Sequence, residues 1–343
     1  VSTPEGLDLD AFARWLDEQA PGLLVGPLEA SLITGGKSNL TYAVTDGRRD
    51  VIVRRPPLGH VLATAHDMGR EHRVIAALAD TAVPVPTTYG LCQDDTVVGA
   101  PFYVMERVVG TPFARASDLA ALGEQRVRTI TGRMVDVLAD LHAVDPDDVG
   151  LGDFGRPDGY LERQVRRWKK QLDASRSREL PGMDELVARL ESSIPDTGEG
   201  TIVHGDYRLD NLLVDASPDG GDQVTAVLDW EMSTLGDPLT DVAVLLAYQQ
   251  LAEEAGAGAG AGLVTDAAQA PGYLSRDEVL ARYAQQSGRD VSDIDFHLAL
   301  AFFKLAVILE GIHFRHSHGQ TLGAGFDGIG DLIEPLIQAG LRA

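Results

Sequence analysis

Cysteine is nearly absent: Cys92 is the only one in 343 residues. That excludes an intrachain disulfide framework and a multi-cysteine zinc site, and it leaves Cys92 as a small buried hydrophobe beside a strand. Long apolar runs are missing as well. The longest, Leu298 to Leu309, is interrupted by Lys304 and falls well short of the ~20 residues that span a bilayer. The opening stretch carries no basic segment followed by an apolar one, so no secretory leader is expected. Positive charge is scarce: 29 Lys+Arg face 52 Asp+Glu, a formal net charge of −23. Nucleic acid and anionic lipid both require a positive face to displace counterions, so neither is an expected partner. Apolar residues, by contrast, make up 44% of the chain, enough to close a core in one large domain or two smaller ones. A soluble, cytoplasmic protein with no membrane attachment is expected.

Two patterns divide the chain. Up to about residue 106, short β-branched and aromatic runs bounded by Gly, Pro and Asp predict strands at Thr41–Val44, Val51–Arg54 and Phe102–Glu106. Between them Met68, Val74, Ile75 and Leu78 share one face of a helix over Asp67–Leu78. From Ser117 the apolar spacing turns to three and four, through Val127, Ile130, Met134, Leu138 and Leu141, and again through Leu161, Val165, Trp168 and Leu172. Short strands are expected at Thr201–Val203 and Val224–Leu228, and further helices around Val242–Leu251, Arg276–Gln286 and Phe296–Glu310. The punctuation Gly110-Thr111-Pro112 marks the boundary, giving an α+β chain with a sheet-rich region at 1–106, preceded by a leading helix, and a helical region at 107–343. Ala255–Gly262, alternating Ala and Gly, reads as a loop.

The chemistry is concentrated in HGDYRLDNLLVD, His204 to Asp215, and VLDWEMSTLGDPLTD, Val227 to Asp241. Asp206, then Asn211 five residues on, then Asp229 at the end of an apolar strand is the order that phosphoryl transfer from ATP requires. The first carboxylate orients an attacking hydroxyl and accepts its proton, and the amide and second carboxylate hold Mg²⁺ on the phosphates. Each residue alone could be a turn or cap residue; the ordered set points to chemistry.

This stretch resembles the catalytic and metal loops of the aminoglycoside phosphotransferase family, relatives of protein kinases that phosphorylate small molecules. The resemblance implies a protein-kinase-like fold of two lobes: a small, mainly antiparallel β N-terminal lobe closing over ATP, and a larger, mainly helical lobe holding the acceptor. It implies Asp206 as catalytic base, Asn211 and Asp229 as magnesium ligands, and His204 as support for the loop. Asp237 and Asp241 become structural acids anchoring the helix that follows.

The N-terminal half supplies the expected ATP-binding parts. In ITGGKSNLTYAV, Gly35 and Gly36 sit at a hairpin followed by Ser38 and Asn39, where backbone amides can approach phosphate. The loop matches neither the Walker A pattern nor GxGxxG, and by itself it reads as a β-turn. VIVRRPP places Arg54 where the kinase pattern has a strand Lys, with Glu71 as its helix partner. Arg is a permanent, forked cation able to bind phosphate and carboxylate together, with Lys37 as a second source of charge. In FYVMERVVG, Phe102 to Gly110, backbone groups of Glu106 and Val108 are implied to bond the adenine edge, with Met105 beside the base.

Tyr160–Leu172, Ser275–Val291 and Phe303–His316 resemble the branch of the family found as stand-alone bacterial proteins and fused to acyl-CoA dehydrogenases. The acceptor is thus a small molecule with a hydroxyl. An aminoglycoside suits the acidic chain, whereas a hydroxylated acid or hydroxyacyl-CoA suits the basic helix of Arg163, Arg166, Arg167, Lys169 and Lys170. Choline-like and sugar acceptors stand beside these. Two rivals come from other classes: a non-catalytic nucleotide-binding module, suggested by the missing strand Lys, and a metallohydrolase using His313, His316 and His318. The latter segment has no attendant acidic motif, and structural or surface histidines are the expectation there.

Overall fold

Alternating burial builds the first unit around a five-stranded antiparallel sheet. The computed structural model describes residues 4–33, 39–58, 67–196, 198, 200–255, 265–319 and 328–343, and the described chain divides into two units. The first comprises Val1–Gly110 with Thr225–Glu231, and the second comprises Thr111–Val224 with Met232–Ala343. Helix α1 (Leu9–Gln19) precedes strands β1 (Glu29–Leu32), β2 (Leu40–Thr45) and β3 (Asp50–Arg55). Helix α2 (Met68–Leu78) then leads to β4 (Thr88–Cys92) and β5 (Phe102–Glu106). The sheet order is β1-β2-β3-β5-β4.

Successive side chains on a strand point to opposite faces. Val51, Val53, Phe102 and Val104 therefore pack with Tyr42, Val44 and the α1 residues Phe12 and Leu16 on one side. Trp15 meets Phe102 edge-on at 4.7 Å between ring centres. The register pairs Ile52 with Met105 and Arg54 with Tyr103 on the other face. Helix α2 covers that face, with Met68, Glu71, Val74, Ile75 and Leu78 all buried. Asp67 caps α2, accepting from the Arg70 amide at 3.0 Å. The charged pair Arg54 and Glu71 is thereby placed between sheet and helix by the strand period and the helix period together. Residues 225–231 join this unit through the Val227 amide, which donates to the Pro84 carbonyl at 2.8 Å, and the Thr225 hydroxyl, which donates to the Val109 carbonyl at 2.9 Å.

The second unit is helical. It contains α3 (Ala116–Ala120), α4 (Glu124–Ala143), α5 (Tyr160–Ser175) and α6 (Met183–Ser192), followed by β6 (Thr201–Val203), β7 (Leu212–Asp215) and the start of β8 (Gln223–Val227). After the 225–231 excursion come β9 (Thr234–Gly236), α7 (Leu239–Ala255), α8 (Arg276–Ser287), α9 (Ile294–Ser317) and α10 (Ile333–Arg342). β6 pairs antiparallel with β9. The expected strands and helices are present with ends moved by a few residues. Strands β4, β7 and β9 and helices α3, α6 and α10 were not expected, because such short segments give periodicity too little length to register. Residues 256–262 of the Ala-Gly segment lie outside the described residues.

Helix α9 is 24 residues long, twice the reach of the apolar run inside it, and is long and apolar enough to cross a membrane by composition. In this fold 72% of its most apolar window is buried. It packs against α5, α6, α7 and α10 as the central helix of the unit. A helix apolar on every side is what a fully surrounded core position requires.

Candidate active site

In the first unit, Arg54, Glu71 and Asp229 form one cluster. An Arg54 Nη2 lies 3.1 Å from Glu71 Oε1 and 3.1 Å from Asp229 Oδ1. Glu71 is buried, with only 1% of its side chain exposed, whereas Asp229 keeps 32%. Burial lifts the Glu71 carboxyl to about 7, against the downward pull of Arg54. Burial also works against the charge on Arg54, but Glu71, Tyr103 and Asp229 outweigh it and hold the guanidinium above its ordinary range. Arg therefore preserves the strand-to-helix ion pair expected of a Lys at that position, and its longer, forked head reaches Asp229 too.

Asp229 has φ of +66°, a left-handed conformation that Asp tolerates better than most residues. It turns the chain sharply after β8, and Trp230 locks the turn by donating from Nε1 to the Val227 carbonyl at 3.0 Å. Asn39 is buried, and its amide donates to Glu231 Oε2 at 3.2 Å, so the residue after the glycine loop is tied to the segment carrying Asp229. Gly35, Gly36, Lys37 and Ser38 lie outside the described residues. Glu106 ends β5; its amide donates to the Thr87 carbonyl at 2.8 Å and its carboxylate accepts from the Thr87 hydroxyl at 2.9 Å. Of its backbone groups, the amide is thus committed within the unit. Val108 follows in irregular chain, half-buried, and Met105 is buried on the α2 side of the sheet.

In the second unit, Asp206 and Asn211 are locked within one loop. Asn211 Nδ2 donates to the Asp206 carbonyl at 2.8 Å and to Asp206 Oδ2 at 3.2 Å. Because the amide nitrogen is used in this way, the oxygen Oδ1 is the atom left to ligate a cation. Arg208 Nε stands 3.5 Å from Asp206 Oδ2, and its guanidinium also stacks over Tyr248 at 4.7 Å from the ring centre. The short turn Leu209–Asn211 sets the five-residue spacing in space.

Asp241 has a role that differs from the one expected. Asp237 does anchor α7, accepting from the Leu239 amide at 2.9 Å. Asp241, in the first turn of α7, faces back to the 204–211 loop and accepts from the His204 amide at 2.6 Å and the Gly205 amide at 2.7 Å. His142 approaches the same carboxylate at 3.2 Å, and the other ring nitrogen of His142 lies 2.8 Å from the Tyr283 hydroxyl. Burial opposes the charge on Asp241, yet these partners hold its carboxyl below the ordinary range. Gly205 has φ of +84°, and a Cβ there would meet the Met232 carbonyl at 2.7 Å, so only glycine fits.

Sequence reasoning also missed Lys304. From α9 its Nζ donates to the Gly205 carbonyl at 2.8 Å and lies 5.8 Å from the centre of the Trp168 ring. The signal was present as the one charge interrupting an apolar run. A small cavity of about 30 Å³ opens beside it, lined among others by Tyr160, Gln164, Trp168 and Thr240. Three of the five cations of the basic helix α5 are engaged by neighbouring acids or carbonyls. Lys169 pairs with Glu191 at 2.7 Å, Arg166 approaches Glu162 at 3.9 Å, and Arg163 bonds the carbonyls of Arg156 and Asp158. The three histidines fall on the last turns of α9 and just beyond it, and among the described residues no three His, Cys, Asp or Glu side chains gather as a metal site.

Residues 29–279 match the protein family described as Phosphotransferase enzyme family. Acyl-CoA dehydrogenase family member 10 of Mus musculus is 36% identical over 341 residues, an alignment covering 96% of this chain and 30% of that protein. The chain therefore spans less than a third of that relative. A solved structure from Ralstonia eutropha, carrying a provisional aminoglycoside phosphotransferase designation, is 34% identical with a TM-score of 0.83, covering 98% of this chain and 97% of the other. A thermostable mutant of aminoglycoside phosphotransferase, solved as a ternary complex with AMP-PNP and hygromycin B, is 14% identical with a TM-score of 0.61, covering 96% and 99%. At that identity the likeness is one of fold, an antiparallel sheet unit and a helical unit.

Proposed function

Because the chain belongs to the phosphotransferase enzyme family, we propose that it moves the γ-phosphoryl group of ATP, with magnesium, onto a hydroxyl of a small molecule. The observation that carries this reading is the Asp206–Asn211 lock: one side-chain amide holds both the backbone and the carboxylate of the proposed base. Asp206 orients the acceptor hydroxyl and takes its proton as the new O–P bond forms and the bond from the γ-phosphorus to the bridging oxygen breaks, with ADP as the leaving group. Asn211 Oδ1 and the Asp229 carboxylate are hard oxygen donors of the kind magnesium takes, and the ion when bound neutralises phosphate charge. Arg54, steadied by Glu71, supplies a forked cation for the phosphates, and Gly35, Gly36, Ser38 and Asn39 supply the covering loop. The Glu106 carbonyl and the Val108 amide serve the adenine edge. Alignment and charge neutralisation dominate such a reaction, and little proton chemistry is required.

The neighbour bound to AMP-PNP and hygromycin B supports a nucleotide donor and a small-molecule acceptor. A second reading of the acceptor is a hydroxylated acid or its acyl-CoA ester: Lys304 sets an ammonium beside the 204–211 loop, bonded to the Gly205 carbonyl. The acyl-CoA dehydrogenase name of the mouse relative points the same way. A non-catalytic module is disfavoured because Arg54 keeps the ion pair with Glu71.

Magnesium-dependent ADP release is the test, measured with a panel of hydroxy acids, hydroxyacyl-CoA esters and aminoglycosides. Asp206→Ala is expected to lower kcat by roughly 10²- to 10⁴-fold while nucleotide still binds. Turnover undiminished in that variant would refute the role of Asp206, and tight ATP binding without stimulation by any acceptor would favour the module.

A further inference from the structure

The geometry points to Lys304 as the positioning residue that fixes the orientation of the Gly205–Asp206 peptide, and through it the aim of the Asp206 carboxylate. The inference rests on the phosphotransferase reading above for its kinetic consequence, but not for its structural one.

Gly205 is the weak point of the catalytic loop. Its positive φ and the Met232 carbonyl, which a Cβ would strike, confine the position to glycine, and glycine is the residue whose flanking peptides rotate most freely. Asp241 restrains the peptide on the N-terminal side, where the His204 and Gly205 amides both donate to it. It does not reach the peptide that follows, whose carbonyl belongs to Gly205 and whose amide belongs to Asp206. The Asp206 amide makes a long contact of 3.3 Å with His204 Nδ1. The strong restraint on that second peptide is Lys304, donating to the Gly205 carbonyl at 2.8 Å. A rotation of this peptide would turn the carbonyl away from Lys304 and swing the Asp206 side chain with it.

A charge at this position is otherwise costly. Lys304 projects from a helix whose neighbouring residues Phe303, Leu305, Ala306 and Val307 are all buried, and an apolar side chain would pack there without desolvating an ammonium. Burial pushes the ammonium down from its ordinary value, while Asp206 and Asp241 push it back up. The ammonium stands over the Trp168 ring, within cation–π range. The chain thus carries a cation in its most apolar helix at a place where its clearest hydrogen bond is to the residue before the proposed base.

Lys304→Met keeps the stem and removes the donor; Lys304→Arg restores a donor and a charge. Two readouts are taken on the full chain, with thermal unfolding as the folding control. Amide hydrogen exchange is followed over a peptide spanning 203–212 and over a reference peptide spanning 40–55. In Lys304→Met the first is expected to exchange roughly 5-fold faster or more while the second is unchanged, because the opened segment is local. In turnover, kcat is expected to fall roughly 10- to 100-fold with the KM for ATP within twofold, as for a misaimed group. Lys304→Arg is expected to recover part of both. Should the Met variant not fold, Lys304→Gln, shorter and neutral, repeats the same measurements. Wild-type exchange over 203–212 in a folded neutral variant overturns the inference, as does an unchanged kcat. If the unaltered protein turns over no acceptor at all, the phosphotransferase reading fails, and the exchange measurement still decides the role of Lys304.

Discussion

At the residue scale, Arg54 and Glu71 show how one departure from the usual kinase residue is absorbed. Guanidinium is never neutral, so a buried carboxylate beside it always has a partner, whereas Glu71 itself titrates near neutrality, at about 7. A carboxyl raised above its unfolded value binds a proton that the unfolded chain has released, so stability falls as pH rises from the ordinary Glu range through about 7. Arg54 limits that loss. Arg54→Met strands Glu71 and is expected to cost about 3–5 kcal/mol at pH 8, where the buried carboxyl must either stay ionised without a partner or take up a proton. At pH 5.5 Glu71 is protonated and the cost is expected to shrink by more than half. Urea unfolding at the two pH values measures the difference, and Glu71→Gln combined with Arg54→Met is expected to abolish it. An equal cost at both pH values would show that Arg54 acts mainly on Asp229.

At the element scale, three helices converge on one loop. Helix α7 presents Asp241 and α9 presents Lys304 to the turn between β6 and the Leu209–Asn211 segment, and α4 backs Asp241 with His142. The Asn211 amide ties the later part of the turn to Asp206, while its first peptides, at His204 and Gly205, are held by side chains from distant helices, a common basis for aiming a reactive group from a rigid scaffold. Gly205→Ala tests this directly. Its Cβ would sit 2.7 Å from the Met232 carbonyl at φ of +84°, and the strain is expected to cost about 2–3 kcal/mol. Calorimetry is expected to show the lowered stability, and turnover is expected to fall further than stability accounts for. A variant as stable and as active as the parent would mean that the loop relaxes without moving Asp206.

At the scale of the whole molecule, the charge of −23 acts as a diffuse repulsion that the local pairs do not cancel. Salt screens it, with a Debye length near 10 Å at 0.1 M. Raising NaCl from 20 to 500 mM is therefore expected to raise Tm by roughly 2–5 °C. A fall in Tm would mean that surface pairs such as Lys169–Glu191 and Arg282–Asp136 outweigh the repulsion. The same acidity makes the placement of cations informative. Arg54 stands at the proposed phosphate site and Lys304 beside the 204–211 loop, whereas much of the basic α5 helix is spent on neighbouring acids and carbonyls.

Much of this was legible in the chain because it is local. Asp206 and Asn211 share one loop, so their spacing alone brings them together, and β-branched runs and helical periods gave most long elements to within a few residues. Arg54 and Glu71 could be paired only through the resemblance to the kinase pattern; the fold realises the pair because a strand of period two and a helix of period 3.6 each present one face. The remainder depends on long-range packing. Asp241 reads as a helix-start acid until α7 is seen to turn it back onto the loop. Lys304 lies 99 residues after Gly205 and reads as a flaw in an apolar run. Residues 225–231 belong to the first unit although they lie deep in the second half of the chain. Residue types and short spacings determined which groups could do the chemistry. Which groups hold them in place was decided only by the tertiary fold, because a hydrogen bond between distant segments leaves no period and no spacing in the sequence.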